Sequence, residues 1–293
     1  MDGPTSSSLH LWDNDRARVP DHRADVGPAE TLPYLSPQQA DTLAARESWR
    51  LPSSRKTDAN QEPFSLSWFL QIERKRYARH GHWLPKMLEF HKHRNERLLA
   101  LGNGLGSDWA RYAEHGAEVI VCHPSTHHLA IVRRHLELRS LKGHFLQGSP
   151  TALPVRDNSL DVVCLIDVPL PPEKIEPAVR ELYRVLKPGG KAMAVLPARY
   201  NARYWQDALM PWQKWLWPSP PPEPEARYSA KELIGLFGLF TRHRVHKRHL
   251  RRSDLPHIWR WVALPPLERL LGRFLILKAY KPITAALPAA AAA

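Results

Sequence analysis

At 293 residues with 43% hydrophobic content, the chain can bury one generous core with appendages, and two full domains are excluded. Two cysteines rule out a disulfide scaffold, and no run approaches the roughly 20 apolar residues needed to cross a bilayer. The formal charge of +13 is uneven: residues 1–60 carry seven Lys and Arg against nine Asp and Glu, so the surplus lies beyond them.

Residues 1–60 mix Pro, Ser, Asp and Arg without periodicity and are predicted to be a disordered extension, with a short helix around Pro37 to Arg50. Their start shows no charged head followed by an apolar core, so a cytoplasmic location is expected. From 61 to 94 the apolar residues Phe64, Trp68, Phe69, Ile72, Tyr77, Leu84 and Leu88 recur at helical spacing, giving a helical lead-in. The segment 95–282 then alternates. Strands are predicted at Arg97–Gly102, Glu118–His123, His144–Gly148, Leu160–Ile166 and Lys191–Pro197, with helices at Ser107–His115, Thr126–Ser140 and Glu173–Leu186 between them. Such alternation implies a mostly parallel sheet covered on both faces.

A helix at Ala230–Phe240 precedes two further strands, Phe240–His249 and Phe274–Tyr280, which close the sheet in antiparallel fashion and bring the count to seven. Leu250 to Arg273 reads as a Trp- and Pro-rich connection, and 283–293 as a disordered tail. Cys122 and Cys164 fall on strands expected to flank the first strand, roughly 9 to 10 Å apart, too far for a disulfide.

Directly after the first strand comes Gly102-Asn103-Gly104-Leu105-Gly106, opening a helix. Glycines there allow a tight turn and a close approach of backbone to ligand, while the helix start offers free amide groups. With LLALGNGLGSD at Leu98–Asp108 go VIVCHPSTHHLAIVRRHLELRSL at Val119–Leu141, FLQGSPTALPVRDNSLDVVCLI at Phe145–Ile166 and RELYRVLKPGG at Arg180–Gly190. Taken together, these segments resemble the class I S-adenosylmethionine-dependent methyltransferases, in particular the subgroup acting on small molecules, lipids and quinones.

The resemblance implies a Rossmann-like, doubly wound, mostly parallel seven-stranded α/β sheet and S-adenosylmethionine as cofactor. It places cofactor contacts at Gly102, Asn103, Gly104 and Gly106, with His123, Ser149 and Asp167 completing the set. It also implies a lid-bearing insertion, placed at 200–228; within it Tyr200–Trp217, with four tryptophans, reads as a cap helix packed by aromatics, as an amphipathic element at a membrane interface, or as a lid that contacts a small-molecule or lipid-like acceptor through Tyr200, Trp205, Trp212 and Trp215. No catalytic residue is named, because methyl transfer rests mainly on alignment of the reacting atoms.

Three positions depart from the family pattern. Ala100, His123 and Ser149 stand where carboxylates usually meet the amino acid end, the ribose hydroxyls and the adenine amine. The expectation is weak cofactor binding, improved by restoring acids at all three positions.

Other features bear on partners. His123, His127 and His128 cluster without an acid or cysteine ligand, so no metal is expected. Asp161 and Lys187-Pro188-Gly189-Gly190 read as structural, the first tying down the loop before its strand and the second turning after a helix. Residues 240–281 hold eleven basic against two acidic side chains, a net of +9. That surplus suits an anionic membrane surface or, less well, nucleic acid, or simply a solvated face. A catalytically silent binding module and a nucleic-acid-binding protein stand as the alternatives to an enzyme.

Overall fold

The computed structural model describes residues 39–40, 42–44, 62–168, 170–209, 226–255 and 261–283. Most of the predicted N-terminal extension, Trp212, Trp215 and the rest of 210–225 lie outside the described residues. Residues 39–40 and 42–44 are helical, within the short helix expected there.

The lead-in forms α1 (Leu66–Lys75), which runs on through a π-helical turn at Arg76–His80 to the short α2 (Leu84–Leu88). Ser65 caps α1 by accepting a hydrogen bond from the Trp68 amide, satisfying one of the free donors of the first turn. The alternating region then gives β1 (Arg97–Gly102), α3 (Ser107–Glu114), β2 (Glu118–His123), α4 (Thr126–Leu138), β3 (His144–Gln147), β4 (Leu160–Ile166), α5 (Pro172–Val185) and β5 (Leu186–Pro197). After these come α6 (Ala202–Leu209), α7 (Ala230–Leu236), β6 (Thr241–Arg248), α8 (Leu264–Leu271) and β7 (Phe274–Tyr280).

Seven strands pair in the order β3-β2-β1-β4-β5-β7-β6. The first five are parallel, and β7 runs antiparallel to both β5 and β6. Strand alternation sorts the core into two layers. Leu99 and Leu101 face a layer with Ile175, Val179 and Leu182 of α5 and Leu233 of α7. Leu98 and Ala100 face the other, with Trp109 and Tyr112 of α3, Val132 of α4 and Leu84 of α2. Cys122 and Cys164 sit on β2 and β4, either side of β1, as free buried thiols.

Three local expectations need correction. The fifth strand begins at Leu186, because the backbone of Lys187-Pro188-Gly189-Gly190 is already extended and joined to Lys281 by two hydrogen bonds; Gly189 adopts the left-handed φ of 80° that its turn requires. Asp161 does not tie down its own loop: it accepts from the Arg97 amide at 2.9 Å and from Lys187 Nζ at 2.7 Å, pinning the start of β1 to the start of β5. The supposed connection contains α8, where Pro265 and Pro266 occupy the first turn, a place that lacks helical acceptors anyway, and Leu267 and Leu271 bury one face.

Candidate functional site

Parallel strands bring their C-terminal ends to one edge, where loops are free to carry ligand groups. Gly102 pairs in register with Ile166, and the Gly148 amide donates to the His123 carbonyl. The Gly102–Gly106 loop, His123, Ser149 and Asp167 therefore meet at the ends of β1, β2, β3 and β4. Tyr200 and Trp205 lie further along the same edge, beyond β5.

Two glycines of the loop are demanded by packing. A Cβ on Gly102 would sit 2.1 Å from the Ile166 carbonyl oxygen, and one on Gly106, at φ 90°, would sit 2.9 Å from Val132. Their first task is thus to let β1, β4 and α4 approach. Gly106 leads into α3 without a side-chain cap, and the buried Ser107 hydroxyl at this helix start has no hydrogen-bond partner.

The neighbouring carboxylate, Asp108, is committed elsewhere. Arg76 grips it through Nε at 3.1 Å and Nη2 at 2.5 Å, and the Tyr77 hydroxyl donates to it at 2.6 Å. Burial, reinforced by the Asp108 charge, holds the Tyr77 phenol well above its ordinary pKa, so it stays a donor. A second buried acid, Glu73 of α1, pairs with Arg111 of α3 and Arg139 following α4. These ion pairs clamp the lead-in over the helices that follow the glycine loop. Nothing in the lead-in's apolar spacing announced them, and the sole hint was Asp108 closing the GLGSD run.

His135 extends the clamp. Its Nδ1 donates to the Leu105 carbonyl at 2.8 Å, its ring stacks on Phe69 at 4.2 Å, and its Nε2 is buried without a partner. Burial pushes its pKa down to about 4. A histidine depressed in the fold binds its proton more readily when unfolded, so its contribution to stability is complete above about pH 6.5 and is lost between there and pH 4. Lowering the pH from 7 to 4.5 should therefore cost on the order of 3 kcal/mol through this residue. Urea unfolding at the two pH values should show a smaller difference for His135→Gln, which keeps a donor for Leu105; an equal difference would assign the acid sensitivity to other groups.

The positions where carboxylates were expected are occupied by the fold itself. The Ser125 amide donates to His123 Nδ1 at 3.0 Å, which places the proton on Nε2, and Nε2 donates to Asn103 Oδ1 at 2.8 Å. His123 is held neutral by burial, which lowers its pKa, and its ring packs on His128 with centroids 4.0 Å apart. It therefore fastens Asn103 and offers no acceptor to a diol. Ser149 is engaged with Thr151, Oγ to Oγ1 at 2.9 Å, inside its own turn. Ala100 is fully buried among Trp109, Val121 and Cys164, so its position faces the core and not the edge. The benefit expected from an acid at 100 is accordingly withdrawn.

Asp167 takes a left-handed φ of 53° at the tip of β4, where an Asp tolerates that conformation better than most residues. Among the described residues, no group of three or more His, Cys, Asp or Glu side chains is gathered for a metal, and no helix is long and apolar enough to cross a membrane. Helix α6 buries none of its residues, and Tyr200 and Trp205 are 41% and 37% exposed.

Residues 99–194 match the model of a methyltransferase domain family. A demethylmenaquinone methyltransferase of Thermus thermophilus is 36% identical over 102 residues, covering 34% of this chain and 46% of that protein. A ubiquinone/menaquinone biosynthesis C-methyltransferase of Dinoroseobacter shibae is 31% identical over 121 residues, covering 40% and 48%. The chain thus spans less than half the length of these curated relatives. Among solved structures, a protein of Pyrococcus horikoshii aligns over 77% of this chain and 94% of its own with a TM-score of 0.51 at 19% identity. A [4+2]-cyclase, SpnF, aligns over 84% and 95% with a TM-score of 0.51 at 18% identity, so the same fold also carries a different reaction name. The match over 99–194, the curated relatives and the seven-stranded sheet agree: residues 99–194 carry a methyltransferase domain, and the sheet is the mostly parallel, seven-stranded one that the resemblance to class I S-adenosylmethionine-dependent methyltransferases implies.

Proposed function

We propose that the chain moves a methyl group from S-adenosylmethionine to a small-molecule acceptor at the C-terminal edge of the sheet. The observation that carries this reading is the family match over residues 99–194, which contains the glycine loop and the tip of β4. The loop fits the cofactor in its turn, its free helix start and the unpartnered Ser107 hydroxyl. Gly102, Gly104 and Gly106 would give the backbone approach, Ser107 and Asn103 the hydrogen bonds, with His123, Ser149 and Asp167 around them. When bound, the cofactor supplies an electrophilic methyl on a sulfonium. The chain's part is to orient that group and an acceptor and to keep water away.

The acceptor is read from the curated relatives, whose names point to quinone-type rings. Their alignments cover only part of each chain, and β6, α8 and β7 lie outside the matched residues 99–194. A second reading, a methyltransferase-like binding module without catalysis, is favoured by one observation: His123 and Ser149 already spend their polar atoms inside the fold.

Adding S-adenosylhomocysteine at millimolar concentration should raise the unfolding temperature, because a ligand bound only by the native state stabilises it. Incubation with radiolabelled S-adenosylmethionine and a demethylated quinol should then transfer label to the quinol. A thermal shift without transfer to any acceptor would favour the binding module, and no shift at saturating ligand would remove cofactor binding altogether.

A further inference from the structure

Strand register places a second group of residues on the same edge. Pro197 of β5 pairs with Phe274 of β7, and Phe274 with Arg248 of β6, so Ala198, Lys247 and Arg248 lie at one end of this part of the sheet. The ends of β1 and β7 are three strands apart, roughly 14 Å. Between α6, α8 and these strand ends opens a cavity of about 650 Å³. Its walls are apolar and aromatic, with Tyr200, Trp205, Leu270 and Leu275 among them.

Its charged groups are cationic, beside the polar Tyr228, Ser229 and His246. Lys247, Arg248 and Arg269 line it, and among the described residues no carboxylate does. Lys247 donates to the carbonyls of Tyr200 and Leu270, so its charge is solvated by backbone dipoles and not neutralised. Arg248 donates to the Lys247 carbonyl at 3.1 Å and reaches Glu268 only at 3.9 Å, and among the described residues the Arg269 side chain has no hydrogen bond or ion pair. Arg269 alone would suit the end of α8, where a cation meets the helix dipole. Lys247, which shares the Leu275 face of β6 with the cavity, adds a second cation beyond that need, while Arg248 lies on the Phe274 face. Tyr228 also lines the cavity, is only 8% exposed, and its buried hydroxyl has no partner. A buried hydroxyl left unpaired costs free energy that a ligand can recover.

We infer that this cavity binds an amphipathic anion, its flat apolar body against Tyr200, Trp205 and Leu275 and its carboxylate or phosphate between Lys247 and Arg269. The site needs no cofactor to bind; that its occupant is the methyl acceptor rests on the methyl-transfer reading above. Guanidinium groups suit either oxyanion, since both accept paired N–H donors.

The probes are 2-naphthoate, 2-naphthyl phosphate and the neutral 2-naphthylmethanol, titrated calorimetrically into the full chain without cofactor. At least one anion should bind roughly tenfold or more tightly than the alcohol, the gain expected of one charge-assisted hydrogen bond, and the gap should narrow with salt. Tighter binding of the phosphate assigns the site to phosphate monoesters, and tighter binding of the naphthoate assigns it to carboxylic acids. Arg269→Glu should abolish the preference for the anion while alcohol binding persists, with a slightly lower urea midpoint from the charge reversal at the end of α8, and Arg269→Gln should fall between. Equal affinity for alcohol and anions, an unchanged preference in Arg269→Glu, or no binding of any probe would overturn the assignment. Because cofactor is absent, a chain that binds naphthoate but never S-adenosylhomocysteine keeps this site and loses the methyl-transfer reading.

Discussion

Arg76→Met should lower the stability of the folded domain by about 3–5 kcal/mol, the usual cost of stripping one partner from a buried ion pair. Arg76 and Asp108 are both nearly inaccessible, with side chains 1% and 5% exposed, and the Tyr77 hydroxyl alone cannot balance the carboxylate left behind. The loss should appear in urea unfolding as a lower midpoint with an unchanged slope. Pairing Arg76→Met with Asp108→Asn should recover part of it, since a neutral amide carries a smaller desolvation penalty and still accepts from Tyr77. A single-variant loss under about 1 kcal/mol would show that water reaches the pair and that the clamp between α1 and α3 is weak.

His123→Asp should tighten S-adenosylhomocysteine binding by roughly 10- to 100-fold, the equivalent of 1.5–3 kcal/mol from hydrogen bonds to a charged acceptor. The exchange also frees Asn103, now held by His123 Nε2, while a carboxylate at 123 can still accept from the Ser125 amide. Ser149→Asp should add less, because the new carboxylate would still be engaged by the Thr151 hydroxyl and amide that Ser149 now meets. The contrast lies at Ala100. There a glutamate would be buried without a counter-charge, so Ala100→Glu should cost several kcal/mol of stability and give no affinity. Calorimetric titration, with urea unfolding of each variant alongside, separates the outcomes. Unchanged affinity in a well-folded His123→Asp would mean that the diol does not reach the end of β2.

The sheet was legible because β1, β2, β4 and β7 are short apolar runs and the helices between the strands show a 3.6-residue stripe, and these periods survive in a single sequence. Leu98–Gly102 and Val119–Cys122 read as buried on both faces, and they are. The glycine loop was equally visible. What escaped were relations between distant residues. The Arg76–Asp108 pair spans 32 positions, and the Glu73–Arg139 pair spans 66. Neither member of either pair has a local pattern that marks it as buried, because charged residues on a helix usually face water. Ala100 illustrates a different limit: position within a motif does not reveal which layer a side chain joins, which depends on strand parity and on Trp109 and Tyr112 filling the space beside it. The helix α8 was hidden by its two prolines, which disrupt a helix interior yet suit its first turn.

The placement of β7 between β5 and β6 has a consequence for the order of assembly. During synthesis β5 and β6 emerge first, and neither can complete its pairing, because the strand that joins them is made after both. Until residues 274–280 are available, β5 presents an open row of amides and carbonyls beside Met193, Val195 and Leu196, an edge prone to pairing with another chain. Meanwhile β6 waits with four Arg and Lys and two His among its eight residues, whose mutual repulsion disfavours premature association. The charge on β6 thus guards that strand alone, while the edge of β5 stays open until β7 arrives.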